Sequence, residues 1–499
     1  MTNLTILLPL VVFLLILLTV SWKLANVKAN KNFDKEYFLA NSSLGGVVLA
    51  MTLVATYGSV SSFVSGPGVA WSLGLSWVVF ASPQIIAGFF ILGIIGKKLA
   101  LVSRKTKSLT LIDVLYVRFQ SKFLAILLSI IMLVFFISMI VGQFIGGAQI
   151  FTTITDLDYK WGLLLFSVVT IIYTSSGFKA VAITDALCAI LMLVGMFALY
   201  YCTLEGTSFS EIFDYLGQQK LNEDGKSALL SFNSFGALPL NLLFSAWILV
   251  GFATVALPQS AVRCMTYKST RDLHRAMIVA TIICGALMIG MTFIGVLARY
   301  KIQEHTGSTD TIIPRLIVEN MPLWLAGITI IGPIAATMST VSSLLIAASS
   351  TIIKDIFEKR LNAIENNTYL KDYKDRIDFT KKKKFAYLVN YTIGIIAIIL
   401  ALYPQDIVVW INMFAFGGLE TAFLCPLVLG LFSKNMNKEG AILSVLLGLI
   451  VYTLFMIFKV NLFDFHNVVY GLLASFIGAI IGIKCFKNTD NNTLKIFFG

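Results

Sequence analysis

Ala55-Thr56-Tyr57-Gly58-Ser59-Val60-Ser61-Ser62, running on to Gly66-Pro67-Gly68, lies in an apolar stretch long enough to cross a bilayer, yet it is crowded with hydroxyls and helix breakers. Glycine weakens a helix interior and proline removes an amide donor. In hydrocarbon, a backbone group freed from its helix is tolerated only where it is buried in protein or lines a cavity. The stretch is therefore predicted to be an interrupted span, with loose carbonyls and hydroxyls turned inward. A second apolar stretch, 238–262, carries Gly251 and Pro258 with Thr254 between them and is expected to break in the same way.

These two stretches belong to a chain of 499 residues that is 58% hydrophobic and 13% charged, against about 25% charged in ordinary soluble domains. Single soluble cores stop growing near about 250–300 residues, so so much apolar surface calls for a bilayer. Runs long enough to cross roughly 30 Å of hydrocarbon are predicted at 4–22, 43–66, 73–95, 123–151, 161–176, 182–204, 238–262, 276–298, 321–350, 385–403, 405–432, 440–458 and 465–483. The expectation is an all-α integral membrane protein of about 13 transmembrane helices, a single domain over 1–499. The first run has no basic residue before it, carries Lys23 after it and lacks a small-residue cleavage pattern, so it reads as a retained helix.

With the N-terminus outside, 31 of the 38 Lys and Arg fall on the inner side, as the positive-inside rule requires. The opposite orientation inverts that ratio. The C-terminus is then cytoplasmic, the lipid bilayer is the partner of most of the surface, and the net charge of +12 needs no nucleic acid to explain it. The six cysteines are scattered, with neither metal-ligand spacing nor a disulfide framework.

Alternation also orients the repeats. The second helix runs from inside to outside and the seventh from outside to inside, so 43–204 and 238–432 can form two five-helix repeats of opposite topology, followed by 440–483. Inverted repeats whose first helices are broken near the midplane are a common plan for secondary transporters.

Chemistry-bearing residues are few. In Ala336-Thr337-Met338-Ser339-Thr340-Val341-Ser342-Ser343, a period of 3.6 puts Ala336, Ser339, Ser342 and Ser343 on one face with Thr340 beside it. Such hydroxyls either cement a helix interface or coordinate a cation, and unwound backbone in 43–66 would supply facing carbonyls for a hard ion such as Na+. Asp185, near the inner end of its helix, is either an acid helped by the helix dipole or a carboxylate partner for a cation. Glu420 lies mid-span, where an ionisable side chain costs about 2.5–3.5 kcal/mol or more and points to function. Arg263 reads as structural or gating. Enzyme signals are absent: Asp224-Gly225-Lys226-Ser227 is half a phosphate loop, with Lys220 where its first glycine should stand.

At Leu44-Gly45-Gly46, Gln143-Phe144-Ile145-Gly146-Gly147-Ala148, Ala261-Val262-Arg263-Cys264, Ser350-Thr351-Ile352-Ile353-Lys354-Asp355 and Ala415-Phe416-Gly417-Gly418-Leu419-Glu420, the chain resembles the sodium/solute symporter family over almost its whole length. The resemblance implies a leucine-transporter-like core of five plus five helices and sodium-coupled import by alternating access. It also implies a bacterial inner (cell) membrane and a non-enzymatic role, and it is compatible with a monomer. The implied solute is a small organic anion, with pantothenate leading and proline or a monocarboxylate as alternatives on the same scaffold. The implied sodium ligands are Ala55, Gly58, Ala336, Ser339 and Thr340. Asp185, Ser342 and Ser343 match a second sodium site found in some members. Tyr57, Ser59, Ser62, Trp77, Gln143 and Thr254 are implied for the solute by helix position, and Glu420 joins them. Two departures stand out. The family's Gly-Gly after the fifth helix is Ser176-Gly177, and 123–151 has no arginine of the kind that sialic acid carriers place there.

Overall fold

Apolar runs become helices in this chain because hydrocarbon offers no partner for an amide outside its own segment. The computed structural model describes residues 4–25, 33–155, 157–174, 177–358, 379–403, 407–486 and 491–499, so Ser176 lies outside the described residues. In chain order the spans are α1 (Leu4–Ala25), the bent pair α2a (Gly46–Tyr57) and α2b (Ser61–Leu73), α3 (Leu75–Thr106), α4 (Lys122–Thr155), α5 (Tyr159–Thr174) and α6 (Phe178–Leu204). The bent pair α7a (Leu240–Ala256) and α7b (Pro258–Met265) follows, then α8 (Thr270–Lys301), α9 (Leu323–Ile356), α10 (Lys384–Ala401), α11 (Val408–Phe432), α12 (Lys438–Ile457) and α13 (Asn467–Cys485). Ten of these are long and apolar enough to cross a membrane unaided, and twelve qualify when each bent pair counts as one span. The expected number of about thirteen is reached only by including α5, whose 16 residues fall just short of the usual crossing length.

Both interruptions are present, bent by 68° in α2 and 48° in α7. In α2 the break lies earlier than the Gly-Pro-Gly triplet suggested. The helix stops at Tyr57 and restarts with a wide π turn over Ser61–Ser65, while Gly66–Leu73 is regular helix. Pro67 lies near the start of that regular segment, directly after the π turn. The expected single span 43–66 is therefore two half-helices reaching to Leu73. Gly74 then turns the chain at φ +69, with the Leu229 carbonyl 2.0 Å from where a Cβ would stand, so no side chain fits. In α7 the chain departs from helical geometry at Gly251 and at Leu257, just before Pro258 opens α7b.

The core is organised around α9, in which every residue from Ile331 to Ser350 is buried. It packs on α6 and α4, while α8 lies along both halves of α2 and α11 lies against α4. Gly418 permits that last approach, since the Phe135 ring fills the space its Cβ would take. The paired α12 and α13 pack on the outside of α11. Lipid takes what the core leaves: Phe123, Ile126, Ile130 and Val134 form an exposed apolar stripe on α4 at helical spacing. The hydroxyls of α9, by contrast, have no lipid to face. The entry to α2a and the exit from α7b are stitched together by two backbone bonds, Leu44 N–H to the Thr266 carbonyl at 3.1 Å and Lys268 N–H to the Leu44 carbonyl at 3.0 Å.

Candidate sodium and solute sites

Where α2a ends, its last carbonyls lose their intrahelical partners. Hydroxyls from α9 meet them. Ser339 Oγ donates to the Ala55 carbonyl at 2.9 Å, and Thr340 Oγ1 lies 3.2 Å from the Gly58 carbonyl and 3.4 Å from that of Thr56. The Ala336 carbonyl is 3.1 Å from Ser339 Oγ and 3.0 Å from Thr340 Oγ1. The five residues expected at the first sodium site are thus drawn into one buried cluster of neutral oxygens. Such a set suits a hard monovalent cation, because it offers oxygen ligands without fixed negative charge.

Directly beyond Gly58 the chain enters a cavity. Tyr57, Ser59, Ser62 and Trp77, the four implied for the solute on the broken helix and its neighbour, are among the residues that line it. Gln143, Thr254 and Glu420 are not among its lining residues. Gln143 instead accepts the Val60 amide at 3.0 Å, holding the break of α2 open, and Thr254 bonds back to the Gly251 carbonyl within its own broken helix. Ser61, Gln84, Thr292 and Asn412 complete the polar lining. Sequence reasoning missed these four. For Asn412 a signal was available: an amide in an apolar span, one helical turn from Val409 and from Phe416, which also line the cavity. No Lys, Arg or His stands among the lining residues.

The profile of the Sodium:solute symporter family matches residues 37–448. A Haemophilus influenzae protein, the sodium/pantothenate symporter, is 37% identical over 98% of this chain and 99% of its own length. The Escherichia coli sodium/pantothenate symporter is 36% identical, covering 96% of each chain. The chain belongs to the sodium:solute symporter family. It is a sodium-coupled solute symporter and a multi-pass membrane protein, a transporter rather than an enzyme. Among solved structures, a substrate-bound, outward-open Na+-coupled sialic acid symporter superposes with a TM-score of 0.80 over 98% of both chains at 20% identity. That likeness establishes the leucine-transporter-like fold expected above.

The symporter treats its second cluster of candidate ligands differently from the first. Asp185 on α6 and Ser343 on α9 face each other, with Ser343 Oγ 3.5 Å from Asp185 Oδ2, and the guanidinium of Arg263 bridges the pair. Its Nη2 is 2.6 Å from Ser343 Oγ and 3.2 Å from Asp185 Oδ2, and its Nη1 donates to the Gln259 carbonyl at 2.7 Å. Thr52 Oγ1 adds a 2.7 Å bond to the same carboxylate oxygen. Ser342 bonds the Ser339 carbonyl of its own helix at 2.9 Å. Asp185, Arg263 and Ser343 are all buried, so the charge of Asp185 is matched by a fixed cation. Arg263, read from sequence as structural or gating, is placed here as the buried counter-ion of Asp185.

At the other end of the cavity, the first amides of α11 would be orphans. Val409 N–H donates to Ser65 Oγ of α2b at 3.0 Å, and Val408 N–H to Asp310 Oδ2 at 3.3 Å. Asp310 sits in the loop between α8 and α9, where burial pushes its carboxyl up from the ordinary range. One broken helix and one loop thereby close over the start of α11.

Proposed function

We propose that the symporter imports pantothenate together with one sodium ion by alternating access, as a single domain in a bacterial cell membrane with its N-terminus outside. The observation that carries this reading is the abutment of a neutral-oxygen cation site on a cavity rich in hydroxyls and amides and empty of cationic side chains. Only Gly58 separates Tyr57 from Ser59, and its carbonyl belongs to the cation cluster while both neighbours line the cavity. Pantothenate is a monoanion with hydroxyls and an amide, so it can use the polar lining. Its carboxylate charge would be balanced by the co-transported ion rather than by a side chain. The names of the two relatives that cover nearly the whole chain support the same solute.

Ala55, Gly58, Ala336, Ser339 and Thr340 are the proposed sodium ligands, and Tyr57, Ser59, Ser62 and Trp77 the proposed solute contacts. We place no second coupled sodium at Asp185, Ser342 and Ser343, because Arg263 supplies the positive charge there. A tenfold sodium gradient then provides about 1.4 kcal/mol per turnover. The test is uptake of radiolabelled pantothenate into proteoliposomes with and without an inward sodium gradient. Sodium-driven uptake of proline or a monocarboxylate with none of pantothenate would reject the solute while leaving the coupling ion in place.

A further inference from the structure

Helix α11 lines the cavity with Val409, Asn412, Met413 and Phe416, a stripe with steps of three, one and three residues. The next position on that stripe is Glu420, one turn and about 6 Å further along the helix. The cavity stops short of it, and the ring of Phe416 stands by that of Tyr57, with centroids 6.4 Å apart. Glu420 thus continues the line of the cavity, one turn beyond the Tyr57–Phe416 pair that lines it.

Its surroundings are unusual for a carboxylate. The side chain is fully buried and neither oxygen has a hydrogen-bond partner among the described residues. The titratable groups that face it are Tyr57 of α2a and Tyr452 of α12. Both hydroxyls donate elsewhere, Tyr57 to the Val250 carbonyl at 2.7 Å and Tyr452 to the Phe414 carbonyl at 2.8 Å. The other elements packed on α11, namely α2b, α4, α7a and α13, bring no charged side chain to it among the described residues. An ionised carboxylate would have neither a counter-charge nor a donor here, and burying such a charge is strongly unfavourable. A neutral acid needs neither.

We propose that Glu420 is a proton-binding site on the transport path. It holds a proton while the passage beyond Phe416 is shut, loses it when that passage fills with water, and must regain it before the passage can close. Sodium and solute drive transport, and the protonation of this one group gates the return step. The carboxyl therefore does not serve as a fixed negative charge for the solute.

Two measurements test this. In the first, sodium-driven uptake is followed across about pH 5 to 9, which spans the ordinary and raised ranges of a carboxyl group. Uptake by the wild type should fall about tenfold towards the alkaline end, whereas Glu420→Gln, permanently neutral, should show a rate that does not vary over that range. A Gln variant with the wild-type pH profile would overturn the proposal. The second measurement is independent of the solute, so its outcome stands whether or not pantothenate is carried. Infrared spectra of the purified protein near neutral pH should contain a carboxylic-acid C=O band that shifts in D2O and is missing from Glu420→Gln. Should the Gln variant fail to insert, Glu420→Asp must move the band. Spectra without a band that depends on residue 420 would reject the site.

Discussion

Ser339 Oγ can donate its proton to the Ala55 carbonyl or ligate an ion beside it with a lone pair, and the two uses compete. The geometry gives the proton somewhere else to go, because the Ala336 carbonyl lies 3.1 Å away on the same helix. Thr340 has the same choice between the Gly58 and Ala336 carbonyls. Sodium entry would then compete with the two hydroxyl protons for the Ala55, Gly58 and Ala336 carbonyls and weaken the interhelical hydrogen bonds. Ser339→Ala with Thr340→Ala should therefore raise the sodium concentration for half-maximal uptake by about a hundredfold, or about 2.7 kcal/mol, with the protein still folded. Unchanged sodium dependence in the double variant would remove these hydroxyls from the site. Arg263 works in the opposite sense, as a cation the protein cannot release. Arg263→Gln strands the buried Asp185 charge and should destabilise the protein by about 3–5 kcal/mol. Adding Asp185→Asn removes the stranded charge, so the double variant should recover much of the loss in thermal unfolding in detergent. A double variant no more stable than Arg263→Gln alone would show that the two side chains are not coupled.

Elements explain which residues could be found without coordinates. The hydroxyl face of α9 and the breaks in α2 and α7 follow from helical period and from the backbone costs of Gly and Pro, both local properties. Ser61, Gln84, Thr292 and Asn412 depend on where a 68° bend swings α2b, which is set by packing against α8 and α11. Gln143 and Thr254 were assigned by helix rather than by direction, and the structure turns both toward backbone groups freed at the breaks. The pairing of Asp185 with Arg263 spans 78 positions in sequence, and no local pattern announces it. A helix start with a titratable cap lies outside the repeats. Partly buried His466 accepts the Val468 amide through Nδ1 at 3.2 Å, and burial pushes its imidazole from 6.5 down to about 4. A depressed value means that the neutral ring is the folded form. Its contribution to stability is complete above about 6.5 and is lost as the pH falls through about 4. His466→Asn keeps a good capping residue that does not titrate. The drop in melting temperature between neutral and acid solution should therefore be smaller in this variant than in the wild type.

Charge balance at the scale of the whole molecule follows from the same residues. The proposed one sodium with one pantothenate monoanion would move no net charge, so on that proposal an inside-negative potassium diffusion potential of about 100 mV should leave sodium-driven uptake unchanged. A second coupled sodium would add about 2.3 kcal/mol of driving force at that potential, and a clear stimulation of uptake would restore Asp185, Ser342 and Ser343 as ion ligands. The stitch between Leu44 and the 266–268 segment has a mechanical meaning on this scale. It ties one end of α2a to one end of α7b, so drawing the two half-helices apart there would break both bonds, whereas a pivot about that point would keep them. An ion that settles at the break of α2 pulls on a lever whose fulcrum belongs to both repeats. Its pull is delivered as a torque on the pair, and neither half of the molecule can answer it alone.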